Sequence, residues 1–192
     1  FKQLSDKIGA ERMIWRYDPI FITSKYSFDY HIQYFGEIAN RLNGHTNTVI
    51  ISFIDIYTKF QKRFPVRELS FDEKKLIAES FSAIAKENDM KISTCAEEVD
   101  LSYYGIEPAS CIDGSLIKKL TGKPIQAKAD RNQRPACGCI GSVDIGVYNT
   151  CLNGCLYCYA NHSDNTIISN MKKHNPLSPI MIGDIGARKD DM

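Results

Sequence analysis

The sequence predicts an α/β fold with parallel strands, a partial or permuted (β/α) barrel, and three observations carry that prediction. Strand-like and helix-like segments alternate through the first hundred residues. Residues 48–54 (TVIISFI) form a near-continuous apolar run, the pattern of a strand covered on both faces. Polar residues follow each strand: Arg16 and Asp18 the first, Asp55 the second, Cys95 and Glu97 the third. The carboxyl ends of parallel strands are where active sites of such folds lie. No GxGxxG follows any strand, which argues against a dinucleotide-binding domain.

Each element has its own signal. Phe1, Leu4 and Ile8 recur at helical spacing and Gly9 follows as a stop, so the chain is expected to open inside a helix. Residues 13–20 (MIWRYDPI) read as a strand closed by Pro19, with Trp15 in the core. Residues 27–42 read as a helix whose inner face is Phe28, Ile32, Phe35, Ile38, Ala39 and Leu42, stopped by Asn43-Gly44. After the apolar strand comes a second helix over 71–88, with Leu76, Ile77, Phe81, Ile84 and Ala85 inward. Residues 91–94 form the third strand, 114–120 a short helix, and 142–147 a further strand.

Length and composition bound the rest. A chain of 192 residues with 43% hydrophobic and 24% charged residues is globular. It is shorter than the roughly 250 residues of a whole barrel. Twenty-four Lys and Arg against 23 Asp and Glu leave a net charge of +1, which argues against a strongly basic nucleic-acid binder. No apolar run reaches the ~20 residues of a membrane helix, so no membrane partner is expected. Residues 1–123 are expected to form the barrel core and 124–162 a cysteine-rich segment of the same domain. Residues 163–192 read as a polar tail.

The seven cysteines are crowded. None precedes Cys95, and five fall between Cys137 and Cys158. A secreted disulfide framework spreads its bridges, so this crowding points to metal ligands in a reducing compartment, the cytoplasm. The densest run is Cys151-Leu-Asn-Gly-Cys155-Leu-Tyr-Cys158, followed by Tyr159-Ala160-Asn161. Three thiolates on one loop can hold three irons of a [4Fe–4S] cube and leave the fourth iron open. Soft thiolates also suit zinc, although a structural zinc site takes four protein ligands. Four cysteines remain: Cys95, Cys111, Cys137 and Cys139. They match the ligand count of a second Fe–S or zinc site, and buried free thiols are the competing reading.

The CxxxCxxC run, with aromatic Tyr157 before its last cysteine, resembles the cluster loop of radical S-adenosylmethionine (radical SAM) enzymes. The segments RYDPI, ISFID, CID, QRPACGC and DIGVYNTC, in that order, resemble a domain-of-unknown-function family. Its C-terminal cysteine cluster is likened to the radical SAM one. The resemblance implies a [4Fe–4S] cluster at Cys151, Cys155 and Cys158, with S-adenosylmethionine on the open iron and an electron donor as partner. The implied reaction is reductive cleavage of S-adenosylmethionine and hydrogen abstraction from an unknown substrate. The motif stands near the C-terminus here, and a permuted order with 142–147 as first strand restores the barrel geometry.

Candidates for lining such a cavity are Arg16, Asp18, Asp55, Glu97 and Asp144, with Asp113 beside Cys111. Arg131 and Arg134 suit an anion such as a phosphate or carboxylate. Tyr157, Tyr159 and Asn161 are expected to shield the cluster or touch the cofactor, and His162 to support the cluster loop or lie at the surface, with a fourth-ligand role the weaker alternative. Two other functions stay open. One is a non-catalytic zinc or Fe–S binding module. The other is nucleic-acid repair or modification related to spore photoproduct lyase, for which only 118–134 is basic enough.

Overall fold

A computed structural model of the chain describes residues 1–56, 60 and 66–183. Contacts divide the chain into two compact units, Phe1–Tyr57 with Val66–Ser142 and Thr58–Pro65 with Val143–Met192. The first holds α1 (Lys2–Ile8), β1 (Trp15–Ile20), α2 (Phe28–Leu42), β2 (Thr48–Phe53), α3 (Phe71–Glu87), β3 (Lys91–Cys95), β4 (Glu107–Ala109) and α4 (Gly114–Thr121). The second holds α5 (Asp164–Lys172).

The four strands form one parallel sheet in the order β1-β2-β3-β4. Each strand pairs with its predecessor, so the winding runs one way and has no switch point. The register sets Trp15 against Val49 and Val49 against Ile92. These side chains, with Ile51 and Phe53, meet Phe35, Ala39 and Leu42 of α2 and Ile77, Phe81 and Ala85 of α3 in one apolar core. Both helices therefore cover the same face of the sheet. Phe35 and Phe81 stack at 3.8 Å and 11°, and Trp15 lies 4.7 Å from Phe35. The next row along the register is Arg16, Ile50 and Ser93. Alternation turns that row to the opposite face.

Local chemistry sets the helix boundaries. The Ser27 hydroxyl accepts the Tyr30 N–H, and Ser70 with Glu73 closes a reciprocal capping box at α3. Asp113 accepts the Ser115 N–H at the start of α4, which ends on left-handed Gly122. α1 and its Gly9 stop form as expected, but Phe1, Leu4 and Ile8 are exposed.

The structure departs from expectation in several places. The sheet is open, with β1 and β4 at its edges, so its strands close no barrel. Strand β4 was not foreseen, because three residues including Pro108 carry too little pattern and are tolerated only at an edge. Leu76 points outward at 58% exposure. It lies one residue, or about 100°, from Ile77, and the inner face is centred on Ile77, Ala78, Phe81 and Ala85. Residues 142–147 form no strand: Asp144 folds back to accept the Gly146 N–H, and Val143 and Ile145 are 87% and 88% exposed.

In the second unit, the segment expected as a polar tail contains α5, anchored by buried Ile167 and capped by Ser163. Among the described residues no helix is long and apolar enough to cross a membrane.

Candidate functional site

Two groups of cysteines form, one in each unit. In the first unit, β3 ends on Cys95 and the chain beyond β4 reaches Cys111, whose sulfur lies 3.1 Å from that of Cys95. Cys139 is buried and accepts the Ile112 N–H at 3.3 Å. Cys137 stands two residues before Cys139, near enough to Cys95 for that thiol's charge to act on it, as the charge of Cys139 acts on Cys111. Arg16 points into this group: its Nη1 stands 2.8 Å from the Cys111 sulfur, and its Nε donates to Asp18 at 2.9 Å.

The electrostatics divide the thiols. Burial, then the Cys95 thiol, push Cys111 up to about 12 against the opposing charge of Arg16. Burial also raises Cys137. Burial works the same way on Cys139, but the Ile112 N–H and the neighbouring thiols outweigh it and hold Cys139 below an ordinary thiol. Among the described residues no group of three or more His, Cys, Asp or Glu side chains surrounds one point as metal ligands do.

The ends of β2 and β3 carry a second polar group. Asp55 pairs with Arg134. Glu97 accepts the Phe53 N–H at 2.8 Å and faces Lys74 Nζ at 3.5 Å. Burial raises the Glu97 carboxyl above its ordinary value, and the Phe53 N–H and Lys74 offset this only in part. With Glu68 these residues line a depression of about 340 Å³. Arg131 lies exposed in the same loop as Arg134. Asp113 serves as the cap of α4, where the Ser115 hydroxyl, against slight burial, lowers its pKa.

In the second unit Cys151 and Cys155 are exposed and Cys158 is half-buried on one loop. Gly154 turns the loop at φ 63°, a conformation that side chains resist. Asn161 Nδ2 donates to the Cys151 carbonyl at 2.7 Å. Tyr157 packs on Phe60 at 4.9 Å, while Tyr159 is largely exposed with its edge toward Tyr148. His162 stacks on Tyr148. A depression of about 350 Å³ is lined by Cys155, Cys158, Asn161, His162 and the start of α5.

Arg16 and Asp18 lie within β1 and do not follow it, because the strand runs on to Ile20, yet both are brought to the first thiol group. Asp55, Glu97 and Arg134 are brought to the strand-end depression. Asp144 joins neither and makes a turn in the second unit. Sequence reasoning missed Lys74 and Asn149. Asn149 adopts φ 58°, and its Oδ1 accepts the N–H groups of His162 at 2.6 Å and Ser163 at 3.2 Å. Its own N–H bonds the Ala160 carbonyl at 3.0 Å, so one residue ties the beginning of the cysteine loop to its end. A lone Asn before Thr150 gives no sequence signal for that role.

No curated protein and no solved structure matches the chain. The family model named Domain of unknown function (DUF1848) matches residues 1–160, 160 of the 192 residues, and the chain belongs to that family.

Proposed function

We propose that the protein is an iron–sulfur protein that acts as a radical SAM-like enzyme, with a [4Fe–4S] cluster on Cys151, Cys155 and Cys158. One observation carries the reading: three thiols sit on a single loop, two of them exposed, beside a depression of about 350 Å³. The donor set fits the group, because three thiolates satisfy three irons and leave one for a small molecule. When bound, the cluster supplies one electron for reductive cleavage of S-adenosylmethionine, and the resulting radical takes hydrogen from a substrate. The chain's own residues orient and shelter. Asn161 fixes the Cys151 carbonyl, Asn149 ties the loop ends, and Tyr157 on Phe60 holds the segment next to Cys158. The sheet's one-way strand order, with α2 and α3 both on one face, is compatible with a piece of a (β/α) barrel and supports the same reading.

The test is anaerobic reconstitution with iron and sulfide, followed by spin-resonance spectra of the reduced protein with and without S-adenosylmethionine. A [4Fe–4S] signal that shifts on addition is expected, and it is lost in Cys151→Ser. A cluster whose signal ignores S-adenosylmethionine, or a chain that takes up no iron, overturns the reading.

A further inference from the structure

We propose that Cys95, Cys111, Cys137 and Cys139 form a second, independent site, a mononuclear tetrathiolate centre for a soft divalent metal of the zinc class. The four come from three separate stretches of chain, the end of β3, the segment after β4 and a Cys-Gly-Cys turn. Buried free thiols scattered through a core would lie among apolar side chains. Here Cys95 and Cys111 stand with 3.1 Å between their sulfurs, too far for a disulfide bond, and Cys139 accepts the N–H of Ile112, the residue next to Cys111. The four do not surround one point in the metal-free chain, so the ion draws the Cys137–Cys139 turn onto the pair.

The Cys-Gly-Cys turn is built into place. Asp130 N–H donates to the Cys139 carbonyl at 2.9 Å, Ile140 N–H to the Ile112 carbonyl at 3.1 Å, and Gly141 N–H to the Lys128 carbonyl at 2.8 Å. Ile112 N–H in turn donates to the Cys139 sulfur at 3.3 Å, the kind of bond that stabilises a ligating thiolate. A Cβ on Gly138 would stand 2.7 Å from the Ser110 hydroxyl oxygen. The residue between the two cysteines therefore lets the turn lie directly on the Ser110–Cys111 segment.

The spacing of the Cys95–Cys111 pair suits a single ion. Four thiolates at ~2.3 Å from one zinc ion stand about 3.8 Å apart. The 3.1 Å pair needs to part only slightly to reach that spacing around a single ion. Binding is written M²⁺ + 4 RSH → [M(SR)₄]²⁻ + 4 H⁺, so it releases protons. Arg16, 2.8 Å from Cys111, offsets part of the remaining negative charge, and Asp18 holds the guanidinium from its other side.

The test uses the full chain, reduced and stripped of metal, titrated anaerobically with Co²⁺ and then Zn²⁺. In the Cys151→Ser/Cys155→Ser/Cys158→Ser variant the proposal expects one Co²⁺ per chain. It also expects the intense thiolate-to-cobalt band of a four-sulfur tetrahedral site, which Zn²⁺ abolishes. Because that variant removes the loop thiols, the outcome does not depend on the iron–sulfur reading. On the wild-type chain, Zn²⁺ is expected to slow alkylation of Cys95, Cys111, Cys137 and Cys139 at least tenfold, a readout that requires no variant to fold. No cobalt band in the triple variant, unprotected thiols in the wild type, or a Cys95–Cys111 disulfide in anaerobically isolated protein overturns the proposal.

Discussion

Arg16 Nη1 lies 2.8 Å from the sulfur of Cys111, across ninety-five residues of sequence. The guanidinium favours the thiolate, yet burial and the Cys95 thiol prevail and push Cys111 up to about 12. In the reduced, metal-free chain at neutral pH, Cys111 is therefore expected to alkylate about tenfold or more slowly than an ordinary exposed thiol. Arg16→Met slows it further, since the opposing charge of the guanidinium is gone. Mass-spectrometric alkylation rates decide this, and equal rates at Cys111 and Cys155 would contradict it.

His31 makes the fold sensitive to acid. The ring is buried, with Nε2 2.8 Å from the Phe21 carbonyl and Nδ1 2.8 Å from the Tyr17 hydroxyl. A carbonyl only accepts, so Nε2 carries the proton and Nδ1 accepts from Tyr17. Burial lowers the His31 pKa despite the Phe21 carbonyl. The unfolded chain takes up its proton near ~6.5 while the folded chain resists, so stability is full above that value and falls as pH drops toward the folded pKa. Denaturation midpoints measured from about pH 7.5 to about pH 5 are expected to fall in the wild type and to fall less in His31→Gln.

Phe81 and Leu76 share one helix but carry opposite weights. Phe81 is fully buried against Phe35, whereas Leu76 is 58% exposed. Phe81→Ala is expected to cost about 3–5 kcal/mol, since it opens a cavity between α2, α3 and the sheet. Leu76→Ala stays within about 0.5 kcal/mol. Urea denaturation of the two variants measures the contrast.

The pair also shows how far the sequence could be read. Periodicity located α2, α3 and β1 to β3 to within a few residues, because each carries a full apolar face and a capping signal such as Ser27 or Ser70. It placed Leu76 inside because 3.6-residue spacing fixes the width of a stripe less well than its direction. The strand expected at 142–147 rested on alternation alone, and the Asp144–Gly146 turn takes precedence over three apolar residues that have no sheet to join. At the sites, residue type and crowding pointed to the cysteines. The contact of Cys95 with Cys111 depends on β4 and the loop beyond it, which carry almost no pattern. Pairs such as Asp55 with Arg134, seventy-nine residues apart, are tertiary facts that no local spacing encodes.

Glu97 gives a second, opposite pH dependence. Its side chain is only 5% exposed, and burial raises its pKa. A carboxyl with a raised folded pKa ionises first in the unfolded chain, so its contribution to stability declines as pH rises from about 4.3 to the folded value. Glu97→Gln keeps an acceptor for the Phe53 N–H and removes the charge, so that decline is expected to vanish. Lys74→Met leaves the carboxylate without its cation at 3.5 Å and is expected to lower stability at neutral pH. A Lys74→Met chain as stable as the wild type at pH 7 would show that the pair carries no weight.

Asn149 separates loop geometry from ligand chemistry in the second unit. Its side chain accepts the N–H groups of His162 and Ser163, and its carbonyl accepts from Asn170 Nδ2 at 3.1 Å. Asn149→Ala removes the first two bonds and places alanine at φ 58°, a conformation that Asn tolerates better. The expected cost is about 1–2 kcal/mol, confined to the cysteine loop and the start of α5. Asn149→Asp keeps the acceptor and is expected to behave as the wild type. Asn149→Gly keeps the backbone freedom without the acceptor and is expected to resemble Ala. If the loop holds the cluster, iron retained after anaerobic gel filtration falls in Ala and Gly and stays full in Asp, while the unfolding midpoint of the first unit is unchanged. Equal iron retention in all three would mean that the three thiols set their own geometry without the tie between Asn149 and His162.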